Sequence, residues 1–244
     1  MVFFFVQVWE EERMDEKQAD FMIKSFGEFE LFGHEIHITT THISLLVVSA
    51  ILLVFAVSAR KCIHRAKITD RPGMFQNIVE IIVEKLSEMA QQNQAMDSQP
   101  FFYYIGTLFL FLIVSNLSGL IGIRPPTADF GVTLMLALIS FFIIQIHGIR
   151  HAKGKHFRKL FEPVPFLFPI NLIGELAVPV SLSLRLFGNM LSGTVMMGLV
   201  YGLFPIIFKI GIPAVLHFYF DLFAGCIQAY VFCMLTMVYR SQEN

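Results

Sequence analysis

Five apolar stretches alternate with polar ones along this chain. They run from about 43 to 59, 101 to 123, 132 to 149, 170 to 208 and 211 to 239. Each reaches or approaches the ~20 apolar residues needed to cross a bilayer. The pattern predicts an all-α integral membrane protein: an N-terminal arm over 1–42, then one transmembrane domain over 43–244 with about five spans. Between the first two spans, Phe75, Ile78, Ile81, Ile82 and Leu86 recur at helical spacing, with Glu80, Glu84, Lys85 and Glu88 elsewhere on the wheel. That segment, about 74–96, reads as an amphipathic helix lying on the membrane or packed beneath the spans. Pro163, Pro165 and Pro169 argue against a regular helix before about Ile170.

The polar connections differ in charge. The 60–100 connection holds six Lys or Arg and the 150–160 loop five, whereas the 124–131 loop and the 209–213 turn hold one each. Basic residues in short loops favour the cytoplasmic side. The N-terminus is therefore expected outside and the C-terminus inside. The last two segments are longer than a ~30 Å hydrocarbon core requires at ~1.5 Å per residue. They are expected to tilt strongly, curve or extend past the membrane.

Composition agrees with this picture. The 244 residues are 55% hydrophobic and only 15% charged, with mean hydropathy +0.65. A formal net charge of −1 gives nucleic acid nothing to bind. Cys62, Cys226 and Cys233 are an odd set without metal-ligand spacing, expected as small core residues of a reduced protein. Residues 1–42 carry nine Asp or Glu against three Lys or Arg. The chain's start lacks the basic segment of a signal peptide, so the arm is expected to be retained, touching the interface through its Phe residues and Trp9. His34, His37 and His42 precede the first span and are read as interfacial surface rather than a metal site. No metal and no cofactor are expected.

Chemistry concentrates in the last two segments. Their charged residues ahead of Arg240 are Glu175, Arg185, Lys209 and Asp221. Lys209 lies at the turn and can snorkel to the interface. Arg185 has apolar turns on both sides, and a charge at mid-depth costs roughly 2.5–3.5 kcal/mol on insertion scales. Ser181, Arg185, Asn189 and Ser192 share one helix face beside Gly188 and Gly193. That stripe is polar where lipid would demand apolar groups, and small where another helix could approach. His217, Asp221, Gly225 and Gln228 make a second stripe. With the orientation above, Glu175 lies on the inner side of Arg185, while His217 and Asp221 lie in the outer half and Thr194 is displaced outward. One acid on each side of a central cation suits two aqueous half-channels parted by a barrier. A secondary ion antiporter and a structural scaffold with Arg185 in an ion pair remain as alternatives. Pro179 can bend the fourth span around a curved partner or make an ordinary kink.

The stretches PVSLSLRLFGNMLSG (Pro179 to Gly193), AGCIQAYVFCMLTMVY (Ala224 to Tyr239) and PTADFGVTLMLAL (Pro126 to Leu138) resemble the signature regions of subunit a of F-type ATP synthases. The ending LTMVYRS resembles the Firmicute type. The resemblance implies a multi-pass protein of the bacterial plasma membrane whose partners are a c-ring, peripheral-stalk b subunits, the rest of the synthase and the lipid bilayer. It implies that Arg185 is the essential arginine facing the ion-carrying carboxylate of the c-ring, with Asn189 and Gln228 beside it. Asp221 matches a position that often titrates, and Thr194 stands where some members have glutamate. The outer half-channel is then expected to use Asp221 and His217, and the inner one Glu175. Either H+ or Na+ fits as the translocated ion.

Overall fold

The computed structural model describes residues 25–31, 34–65, 73–92, 99–152, 166, 168–203 and 208–242. Five of its helical segments are long and apolar enough to cross a membrane: Thr40–His64, Gln99–Ile121, Phe130–Arg150, Phe168–Val200 and Gly211–Ser241. The all-α membrane domain and its number of spans are those expected from the hydrophobic pattern. The arm brings something unexpected. Two antiparallel strands, β1 (Ser25–Leu31) and β2 (His34–Thr39), form a hairpin in which Phe29 pairs with Ile36 and Glu28 with His37. The expected contact of Trp9 with the interface lies outside the described residues.

Helix α1 (Thr40–Arg65) begins where the hairpin ends. The Thr39 amide donates to His42 Nδ1 at 3.3 Å, and the Thr39 hydroxyl meets the same nitrogen at 2.7 Å. His42 thus closes the start of the helix as a capping group. Helix α2 (Met74–Gln92) is the expected amphipathic element. It buries Val79, Leu86, Met89 and Ala90, and its outer face carries a Gln76–Glu80 hydrogen bond and a Lys85–Glu88 ion pair at 2.8 Å. The Glu88 carboxylate raises Lys85 above the ordinary lysine value. Any stabilisation from this pair is therefore present at neutral pH and lost as pH rises through the elevated lysine value; exposed to solvent, it is small.

Helix α3 (Gln99–Leu117) runs into a 3-10 turn, Ser118–Ile121, which ends at Gly122 with φ +79°. That left-handed backbone is open to glycine at no steric cost. A second 3-10 turn, Pro126–Ala128, is buried, and Asp129 then caps helix α4 (Phe130–Ala152) by accepting from the Gly131 amide at 2.9 Å. Helix α5 (Phe168–Leu203) starts two residues earlier than expected. Pro169 falls in its first turn, where a missing N–H leaves no bond unmade. Its 36 residues span about 54 Å. Pro179 sits inside it without ending it.

The last long segment is not one regular helix. Helix α6 (Phe208–His217) leads into a π-helical turn, Phe218–Ala224, and then into α7 (Gly225–Ser241). The core lies where α3 and α7 pack together, with α4 and α5 alongside. Leu112, Leu186, Phe232 and Cys233 are fully buried there. Tyr104 and Ser140 share a 2.7 Å hydrogen bond across α3 and α4. At the far end Arg240, 4% exposed, lies 3.9 Å over the Phe101 ring. The three cysteines are free thiols. Cys233 is the core residue expected, while Cys62 and Cys226 are only half-buried.

Candidate functional site

Helix α5 presents two unlike faces. Leu182, Ser183, Leu186 and Met190 are buried against the bundle. On the other side Ser181, Arg185, Gly188 and Ser192 are exposed, with Asn189 at the border. These are the residues that helical spacing groups into one stripe. No hydrogen bond or ion pair engages Arg185 among the described residues. Apolar Ile173, Val180, Leu184 and Leu191 are exposed on the same helix, so the guanidinium and the hydroxyls of its stripe stand on a helix whose surface is otherwise apolar. A Cβ at Gly188 would meet nothing within 4 Å. Among the described residues, the surface beside the cation is open.

Two hydroxyls of this helix are satisfied within it. Ser192 donates to the Asn189 carbonyl at 2.8 Å and Thr194 to the Met190 carbonyl at 2.9 Å. The amides are not. Nδ2 of Asn189 and Nε2 of Gln228 are buried without a hydrogen-bond partner. A buried amide N–H left unmade costs about 1–3 kcal/mol, so two such groups call for water or a ligand atom. Among the described residues no group of three or more His, Cys, Asp or Glu could hold a metal ion.

Glu175 precedes Arg185 on the same helix, about 15 Å away along its axis, and is half-buried between α5 and α4. Gln145 Nε2 of α4 approaches its carboxylate at 3.4 Å. Gln145 is a polar residue in an apolar span that helical spacing did not single out; the isolated amide in FFIIQIHG was the available signal.

On the last segment the stripe forms, but differently from the α5 stripe. Asp221, Gly225 and Gln228 are buried and His217 is half-buried, so these groups face neighbouring elements. Nδ1 of His217 lies 2.5 Å from Asp221 Oδ2. Asp221 sits within the π turn, where the extra residue per turn re-aims side chains relative to a regular helix. The 3-10 turn after α3 leaves room for it: a Cβ at Gly119 would lie 2.8 Å from Asp221 Oδ2. Asn116, fully buried, donates from Nδ2 to the Gly225 carbonyl at 2.8 Å and accepts from the Thr127 hydroxyl at 2.8 Å. Asn116 was visible in the sequence as an amide inside an apolar run; its partners were not. Lys209 belongs to α6, and its side chain lies outside the described residues.

The sequence model of a protein family described as "ATP synthase A chain" matches residues 41–241. Among curated proteins, the chain is 43% identical over 185 residues to "ATP synthase subunit a, sodium ion specific" of Propionigenium modestum, a match covering 69% of this chain and 63% of that protein. It is 32% identical over 220 residues to "ATP synthase subunit a 1" of Syntrophotalea carbinolica, covering 88% of each. It is 32% identical over 205 residues to "ATP synthase subunit a" of Moorella thermoacetica, covering 83% of this chain and 92% of the relative.

Proposed function

From the premise that the chain belongs to the ATP synthase A chain family, a multi-pass stator subunit that takes part in ion translocation within the whole synthase, we propose how its own residues do so. The exposed face of α5 around Arg185 meets the c-ring. The observation that carries this is Arg185 itself: an exposed cation on a long apolar helix, with an open glycine beside it and no counter-charge among the described residues. An intramembrane charge of this kind needs a partner. A c-subunit carboxylate supplies the opposite sign.

An ion enters from the outer side past His217 and Asp221 and neutralises the carboxylate of a c subunit. The neutral carboxylate can then pass through lipid, where a charged one is costly. After nearly a full turn it meets the inner half-channel beside Glu175 and releases its ion. Arg185 favours the ionised carboxylate, lowering its affinity for H+ or Na+, and bars direct leakage between the half-channels. The buried unpartnered amides of Asn189 and Gln228 stand ready to donate to an ionised carboxylate or to water. Ser181, Ser192 and Thr194 add hydroxyls along the way. The driving force is about 2.3 kcal/mol per charge per 100 mV, plus the concentration gradient. The orientation is that of the basic loops, with the C-terminus cytoplasmic and the complex in a bacterial plasma membrane. Peripheral-stalk b subunits complete the stator. The arm over 1–42, with its hairpin, lies outside, and 43–244 forms the single transmembrane domain.

Side-specific labelling tests the two half-channels. In a background with Cys62, Cys226 and Cys233 replaced by alanine, Glu175→Cys is expected to react with a membrane-impermeant thiol reagent added from the cytoplasmic side only. Asp221→Cys is expected to react from the outer side only. Reaction of both from one side would sink the arrangement.

A further inference from the structure

The π turn that carries Asp221 is gripped from three directions. Asn116 of α3 donates to the Gly225 carbonyl at its end. Thr127, in the buried 3-10 turn ahead of α4, donates to Asn116 Oδ1 and so fixes which way the amide points. A Cβ at Gly225 would lie 2.9 Å from Asn116 Cβ, and one at Gly193 of α5 would lie 3.1 Å from Phe220 Cβ. The grip therefore depends on close backbone approach as well as on hydrogen bonds. A π turn carries one residue more than an α turn would and is the less stable form, so it persists where neighbours hold it. Here the Gly225 amide reaches back to the Phe220 carbonyl, and the Gly225 carbonyl is taken up from outside the helix by Asn116.

The geometry points to Asn116 and Thr127 as positioning residues for outer-side ion access, acting through the π turn that sets the Asp221 carboxylate against Gly119. This rests on the proposed role of Asp221 in the outer half-channel and adds to it the pair that fixes where its carboxylate stands. Asn116 and Thr127 need not touch the ion, because both atoms of the Asn116 amide are already engaged. Asp221 and His217 are the titratable pair here; Gly119, Asn116 and Gly193, which meet the turn from its neighbours, carry no titratable group. If Thr127 cannot donate, the Asn116 amide is free to rotate and the turn can relax toward a regular helix. Asp221 then leaves the Gly119 window.

The test uses the whole synthase in vesicles with the catalytic head outward, so that the lumen corresponds to the outer side. ATP synthesis is driven by a fixed diffusion potential. Lumenal Na+ is titrated at constant pH, and lumenal pH is titrated without Na+; the same titrations are then made in the external buffer. Thr127→Val removes the donor at nearly constant shape, and Thr127→Ser restores it. Thr127→Val is expected to raise the lumenal ion concentration for half-maximal synthesis about threefold or more, leaving the external dependence and the saturated rate near wild type. Thr127→Ser is expected to return the lumenal value toward wild type. Asn116→Ala is expected to follow Thr127→Val, and the Thr127 pair decides the matter if that variant does not assemble. Equal shifts on both sides, or a loss of saturated rate with the lumenal half-point unchanged, would overturn the positioning role. Asp221→Asn separates the two readings. If it shifts the lumenal half-point and Thr127→Val does not, only the positioning role fails; if Asp221→Asn shifts nothing, the outer path itself is wrong and the positioning role falls with it.

Discussion

Replacing Arg185 by alanine is expected to lower ATP-driven ion uptake by the reconstituted synthase at least about 100-fold, while the detached head hydrolyses ATP at the wild-type rate. A cation beside a carboxylate lowers its pKa by about 1–3 units, and two units is about 100-fold in ion affinity. On the mechanism proposed above, without that bias the c-subunit carboxylate keeps its ion at the stator and no release step is enforced. The exposure of Arg185 in the isolated chain makes the prediction specific. A residue with no partner among the described residues contributes little to this chain's internal stability, so the complex should assemble with alanine in place. Arg185→Lys separates the alternatives. A scaffold ion pair would tolerate it, whereas the rotary reading predicts lost coupling, since lysine lacks the planar, always-charged fork. Normal pumping by Arg185→Ala would refute the stator mechanism and favour the antiporter or scaffold reading. Running the assay with and without sodium also names the ion. Uptake that requires Na+ would place this chain's synthase with one like the sodium-specific Propionigenium modestum relative, and uptake without it identifies H+.

The second large effect is structural. Gly225→Val is expected to destabilise the bundle by about 3 kcal/mol or more, read as loss of the chain from the purified complex at a lower temperature. A Cβ at this position would stand 2.9 Å from Asn116 Cβ, so α3 and the start of α7 must move apart, and the larger valine side chain would also have to displace Met190 Cε. Overpacking of that kind costs about 1–3 kcal/mol. Breaking the Asn116–Gly225 bond adds the cost of buried polar groups left unmade, about 1–3 kcal/mol. Gly174→Ala is the matched control. Nothing lies within 4 Å of its added Cβ, and alanine is the better helix former. Retention of the complex at the wild-type temperature by Gly225→Val would mean that the close packing around the π turn is wrong.

Arg185 with Ser181, Asn189 and Ser192 could be placed on one face before any fold was known, because a straight helix maps spacing onto direction. The same arithmetic put His217, Asp221, Gly225 and Gln228 in one stripe, and there the chain departs from a regular helix. One added residue in the turn rotates the later side chains by about 100° relative to the earlier ones. Asp221 therefore meets Gly119 and Gly225 meets Asn116, contacts that spacing does not reveal. A single amide in an apolar span, such as Gln145, says nothing until its neighbour across the helix pair, Glu175, is known.

By itself the sequence determined that this protein spans a membrane about five times, where the spans and the amphipathic helix lie, and which helix carries a cation that lipid would reject. Those properties arise from transfer free energies summed along the chain, and transfer is local. The tertiary structure alone decided the π turn, the Thr127–Asn116–Gly225 chain of hydrogen bonds and the lack of a partner for Arg185 among the described residues. The Asn116–Gly225 bond joins residues 109 positions apart. Polar partners across helices depend on rotation and depth to within a fraction of a turn, and a bilayer's preference for apolar surface does not set either.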